Sequence, residues 1–227
     1  MTLANNIKHT ALPSYSRKQE LFNAISHFIG IVLAIIVLVF GITLFSNGDM
    51  KPLIFIGYII FSLSMFTVYL ISGIYHVTPK DSSKKRLLRI IDHCTIYLLI
   101  AGTYTPVCFS LFDMMQTLGL GIFMLSVEWI GAIIGIVLNA FFFNNKAANT
   151  VSFILYVLMG WLAAFCGAGF SINQSCFVFI LLGGIVYTIG SILYAIGKKY
   201  NKWCHFIFHV FVLLGTIIQM IGIFYLQ

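Results

Sequence analysis

Four short polar clusters interrupt a chain that is otherwise almost continuously apolar: Glu20-x-x-Asn23-x-x-Ser26-His27, Ser72-x-x-x-His76, Asp92-His93 and His205-x-x-x-His209. His205 and His209 stand four apart. On a helix that spacing puts both imidazoles on one face, about 6 Å apart along the axis. This is how a helix offers two nitrogens to one metal ion. A third ligand is needed, and His76 is the candidate. Three neutral imidazoles suit Zn²⁺ and leave a fourth position for water, whose pKa zinc lowers to about 7. Asp92 could hydrogen-bond that water, act as its base, or be a fourth ligand. Ser72 lies one turn before His76 on the same face. It could hydrogen-bond Asp92 or donate to a developing oxyanion. The competing reading is structural: histidines four apart in a membrane helix also serve packing and interhelical hydrogen bonds.

Other polar residues leave alternatives open. His27 is either a further site residue or, with Glu20 and Asn23, part of the anchor of the first helix. His93 lies about 100° around a helix from Asp92, so the two do not point at one centre, and His93 falls behind the site or at the membrane interface. His9 is expected in solvent. Glu128 sits mid-span, where a charge is costly. It is expected to carry a proton, face the bundle or line a cavity.

The elements that must position these residues are membrane helices. Hydrophobic residues make up 60% of the 227, and charged residues 8%. A soluble domain carries about 25% charged residues, and a disordered chain still more, so both classes are excluded. Unbroken apolar runs exclude a membrane β-barrel, which shows short alternating segments. Seven runs stand out: Leu21–Phe45, Pro52–Tyr75, Ile90–Phe112, Thr117–Phe141, Thr150–Gly169, Phe177–Gly197 and Trp203–Leu226. Each can cross a hydrocarbon core of about 30 Å as a helix. The expected architecture is all-α: residues 1–20 as a polar cytoplasmic tail and 21–227 as one seven-helix bundle with antiparallel neighbours. The first run is too long and too late for a cleaved signal peptide.

Orientation follows from Lys and Arg. Twelve of the thirteen fall on one side: Lys8, Arg17, Lys18, Lys80, Lys84, Lys85, Arg86, Arg89, Lys146, Lys198, Lys199 and Lys202. Lys51 alone falls on the other. Positive loops stay in the cytoplasm, which predicts an inside N-terminus and an outside C-terminus. That orientation places all four polar clusters at one depth, just within the cytoplasmic leaflet. The net charge of +7 also points to anionic lipid, and not to nucleic acid, because the basic residues are spread over short loops. The five cysteines show no metal-type spacing. Cys166 and Cys176 could form a disulfide across the fifth–sixth loop, or all five could be small buried thiols. Pro106 is expected to kink the third span. Gly183, Gly184 and Gly190 are expected to allow close helix approach.

The same residues carry a family resemblance. The polar clusters, together with Ala101-Gly102-Thr103-Tyr104-Thr105-Pro106, Gly160-Trp161 and Gly183-Gly184-x-x-Tyr187-x-x-Gly190, resemble the bacterial hemolysin III family. That family lies within the progestin and adipoQ receptor superfamily of seven-helix membrane proteins. The likeness runs from about Ser16 to the C-terminus. It implies a cytoplasmic N-terminus, a bacterial plasma-membrane location and a zinc ion held by His76, His205 and His209 with Asp92 nearby. The superfamily resembles the alkaline ceramidases, which implies hydrolysis of a lipid amide or ester. Glu128 matches no part of the pattern. The expected function is therefore that of a zinc-dependent lipid hydrolase, with Asp92 and Ser72 as catalytic residues and membrane lipids as partners or substrate. The alternatives are a non-catalytic membrane-state sensor with structural zinc, and a pore-forming protein. Oligomeric state is not encoded in any of these features.

Overall fold

The computed structural model describes residues 2–80, 82–197 and 199–226; Lys198 of the basic count lies outside the described residues. The described chain is helical. The helices are α1 Leu3–His9, α2 Arg17–Ser46, α3 Pro52–Val77, α4 Ser83–Ser110, α5 Met115–Phe142, α6 Lys146–Gly160, α7 Leu162–Phe165, α8 Gln174–Gly197 and α9 Cys204–Ile223. Single 3₁₀ turns follow α4 and α7. Six of these helices are long and apolar enough to span a bilayer: α2, α3, α4, α5, α8 and α9.

Their outer faces confirm the solvent they were built for. Along α2, Ile25, Ile29, Val32, Ile36 and Val39 are all exposed. In water such a stripe would be an aggregation liability; in lipid it is an ordinary surface. The buried face of the same helix holds Ala24, Ala34 and Val37. The protein is a polytopic helical membrane protein.

The fifth apolar run does not form one long helix. α6 begins early, where the Asn145 side chain accepts from the Ala147 and Ala148 amides. It stops at Gly160 after 15 residues, about 22 Å of helix. The Ala164 amide bonds the Trp161 carbonyl and bypasses Gly160. The Gly160 carbonyl accepts from the Tyr104 hydroxyl at 2.7 Å instead. Trp161 donates its indole N–H to Thr188 at 3.2 Å. Gly167, at φ 64°, then turns the chain in the left-handed region that glycine tolerates best.

Two close contacts bring neighbouring helices together. Pro106 stays within α4 and packs on Gly57 of α3, where an added Cβ would lie 2.7 Å from the Pro106 Cα. At the other side of the bundle, a Cβ on Gly183 would lie 2.4 Å from Gln219 and 2.9 Å from the Gly215 carbonyl, so α8 and α9 meet almost backbone to backbone. All five cysteines are free thiols, Cys166 and Cys176 included.

Residues 2–16 are folded. Thr2 caps α1, and Asn6 is fully buried. Its side-chain amide donates to the Asn139 and Ala140 carbonyls at 3.3 and 2.8 Å, while Asn144 donates back to its side-chain oxygen at 2.6 Å. α1 is thus pinned to the end of α5. An extended segment then leads to Ser16, which forms a capping box with Gln19 and starts α2.

Candidate metal centre

The start of α2, the end of α3 and the start of α9 meet at one end of the bundle. There, one ligand nitrogen each from His27, His76 and His209 lies within 4.8 Å of the others. All three residues are buried. Among the described residues this is the group of His, Cys, Asp or Glu side chains able to share an ion. The rings of His27 and His209 approach to 4.1 Å between centroids at 65°, and those of His76 and His209 to 5.1 Å at 66°.

The hydrogen bonding around the rings fits a metal. His76 Nδ1 lies 2.6 Å from a Glu20 carboxylate oxygen. A proton on Nδ1, donated to Glu20, leaves a lone pair on Nε2, and Nε2 is buried with no partner. His27 Nε2 is 2.9 Å from the Ser72 hydroxyl, and its Nδ1 is likewise buried and unpartnered. His209 Nδ1 is a third such atom. Buried polar atoms almost always find a partner, so three orphaned nitrogens in one pocket need an explanation. Ring nitrogens facing a metal, with the opposite nitrogen held by a carboxylate or hydroxyl, supply one.

Glu20 does double duty. Its second oxygen accepts from the Lys85 ammonium at 2.8 Å, and Lys85 also donates to the Thr78 carbonyl at 3.0 Å. Lys85 is 1% exposed. A buried ammonium and a buried carboxylate are tolerable because each satisfies the other and both reach further partners. The network ties α2, the end of α3 and the first turn of α4 together beneath the histidines.

The residues expected from sequence fall into three groups. His76 and His209 are in the cluster. His205 is beside it: its ring is 4.3 Å from that of His209 and 5.4 Å from that of His76, and His27 holds the third place in the group. Both His205 nitrogens are buried without partners. Tyr15 covers its other face, ring on ring at 4.9 Å and 7°. Burial, with Tyr194 and Tyr75 nearby, holds the Tyr15 phenol well above the ordinary tyrosine range, so it stays neutral. Ser72 reaches the site through His27. Asp92 lies outside the three-histidine group; its carboxylate is 3.8 Å from His93 Nδ1. Glu128 stands apart on α5, 0% exposed, with both oxygens unpartnered.

Lys85 was invisible to sequence reasoning because it sits in a run of loop lysines that reads as solvated. Its position three residues after the N-cap Ser82 is the one available signal. Tyr15 carried no signal at all.

Residues 15–220 match the pattern of the family described as Haemolysin-III related. The chain belongs to the haemolysin III family. It is 40% identical over 213 residues to the Hemolysin-3 homolog of Bacillus subtilis (strain 168), covering 89% of this chain and 91% of that one. It is 35% identical over 210 residues to Hemolysin-3 of Bacillus cereus, covering 88% and 87%. This haemolysin III protein is accordingly a multi-pass cell-membrane protein. Its buried histidine group could hold a metal ion.

Proposed function

We propose that this protein is a zinc-dependent hydrolase of lipid amide or ester bonds, with its site at the cytoplasmic end of the bundle. The carrying observation is the trio of orphaned nitrogens on His27, His76 and His209, two of whose rings are held from behind. An all-nitrogen donor set of neutral imidazoles suits zinc. A bound zinc ion would supply Lewis acidity toward a carbonyl and toward water.

The chain's own residues do the rest. Glu20 fixes the tautomer and orientation of His76. Ser72 fixes His27. Asp92, two turns along α4 from Lys85, would be the base for the attacking water. Lys85 holds Glu20 in place. His76 and His209 are the shared pair of ligands, with His27 as the third in this arrangement. The orphaned nitrogens of His205 favour a second version in which His205 is the third ligand and His27 supports it through Ser72. Metal content separates the two: whichever of His27→Ala and His205→Ala loses the ion identifies the ligand.

The orientation belongs to the same reading. The basic end faces the cytoplasm, and α6 with α7 makes a seventh, shortened crossing that returns the chain between α5 and α8. Membrane lipids are then the substrate pool.

The decisive experiment is metal analysis of purified protein alongside release of free fatty acid from ceramides and phospholipids. Bound zinc with turnover supports the hydrolase. Bound zinc without turnover favours a structural clamp in a non-catalytic membrane-state sensor. That version has its own support, because the histidines join α2, α3 and α9. A pore, as the names of the relatives suggest, needs a polar path through the bundle. The mid-bundle ionisable group among the described residues is Glu128, which is sealed from solvent.

A further inference from the structure

The extended segment 10–16 crosses the mouth of the histidine cluster, and three basic side chains from three different elements hold it there. Lys80, after α3, donates to the Tyr15 carbonyl. Arg89, on α4, donates to the Ala11 carbonyl. Lys202, before α9, donates to the Ser14 carbonyl and hydroxyl, each at 2.8 Å. Tyr15, 7% exposed, lies flat on His205. Tyr194 meets the same ring at 5.3 Å and 50°.

The clasp is electrostatically unusual. Among the described residues, none of Lys80, Arg89 and Lys202 has a carboxylate partner; the nearby Glu20 is already shared by His76 and Lys85. Three full positive charges therefore end on neutral oxygens. An ionised acceptor adds a charge–charge attraction that a neutral carbonyl lacks, and phosphate oxygens match both ammonium and guanidinium. The segment is also loosely bedded. A cavity of about 230 Å³ lies on one side, lined by Pro13, Ser14, Tyr15, Tyr194, Lys202 and His205 among others. A second of about 150 Å³ lies on the other, against Leu12, Lys80 and Lys85. Lysines and room for an anion thus flank the strap on both sides.

We propose that Lys80, Arg89 and Lys202 form a binding site for the phosphate headgroups of anionic phospholipids, and that headgroups bound there unlatch segment 10–16 from His205. The occupant is argued from charge. Counted along the sequence, twelve of thirteen Lys and Arg fall on the side expected to face the cytoplasm, against the anionic inner leaflet. Lipid at that surface reaches these side chains without leaving the membrane. The strap then works as a sensor: neutral surroundings keep it on His205, and an anionic leaflet draws the cations away from its carbonyls. The inference holds whether or not the histidines take zinc.

Chymotrypsin cleavage after Tyr15 reads the strap directly, because that bond is reachable only when the ring leaves His205. The full-length protein is compared in nanodiscs of phosphatidylcholine alone and of phosphatidylcholine with phosphatidylglycerol, and native mass spectrometry counts retained phosphatidylglycerol. Cleavage is expected to be about tenfold faster with phosphatidylglycerol. In the Lys80→Gln/Arg89→Gln/Lys202→Gln variant it is expected to be fast in both discs, with less phosphatidylglycerol retained. Equal rates for the unaltered protein in the two discs would overturn the proposal, as would a triple variant that keeps the lipid response. Inorganic phosphate added to phosphatidylcholine discs is expected to leave the rate unchanged. Acceleration by phosphate alone would overturn the assignment to lipid. No arm requires metal or turnover, so failure of the hydrolase reading leaves this test intact.

Discussion

Two regions of this bundle bury ionisable groups, and they are built in opposite ways. At the basic end, Lys85 and Glu20 hold His76, Ser72 holds His27, and one nitrogen each of His27, His76 and His209 lies within 4.8 Å of the others. In the middle of α5, neither oxygen of Glu128 has a hydrogen-bond partner among the described residues. A network of donors and acceptors makes burial of charge tolerable and fixes geometry; an acid without one gains neither. The first arrangement is what a metal centre requires. The second asks nothing of its neighbours.

Substitutions can break or sharpen that contrast. The largest effect is expected from His76→Ala, which removes one proposed ligand and strands Glu20. Bound zinc should fall at least about tenfold, and the melting temperature in detergent should fall with it, read by metal analysis and a thermal shift assay. Glu20→Gln comes next. It weakens the hold on His76, for which a 10–100-fold drop in metal affinity is usual, and it leaves the Lys85 ammonium buried without a counter-charge, worth about 3–5 kcal/mol. Chelator competition and thermal unfolding measure the two parts. Ser72→Ala deletes a single hydrogen bond to His27, worth about 1 kcal/mol, and should shift zinc affinity less than Glu20→Gln does. Glu128→Gln keeps shape and removes the acid. Zinc content should be unchanged and stability should move by no more than about 1 kcal/mol. A large loss of stability or metal there would mean that Glu128 has a partner, and the contrast would fail. Lys51→Ala breaks an exposed pair with Asp113 at the opposite end, 2.7 Å long, and should cost about 0–1 kcal/mol.

The sequence carried the layer of the site better than its rotation. Counting Lys and Arg fixed which span ends share a level, and His76 and His209 do meet there. The choice between His27 and His205 depends on how far α2 and α9 turn toward each other, and the residue spacing on either helix does not contain that angle. Lys85 and Tyr15 were hidden for a related reason: their partners are Glu20 and His205, 65 and 190 residues away. Helix existence was legible from apolar runs, but the break in the fifth run was not. It is set by the Tyr104 hydroxyl taking the Gly160 carbonyl, a contact between residues on different helices. α1 is not legible in the sequence, because Asn6, a polar residue in a polar stretch, is tied to carbonyls on α5.

The central claim is that His76 and His209 share one metal ion. Zinc X-ray absorption on the purified protein, with and without His76→Ala/His209→Ala, tests it most directly. The expected spectrum shows about one zinc per chain with imidazole nitrogens at about 2.0–2.1 Å, lost in the double variant. Purified protein without zinc, or zinc whose spectrum is unchanged in the double variant, would contradict it.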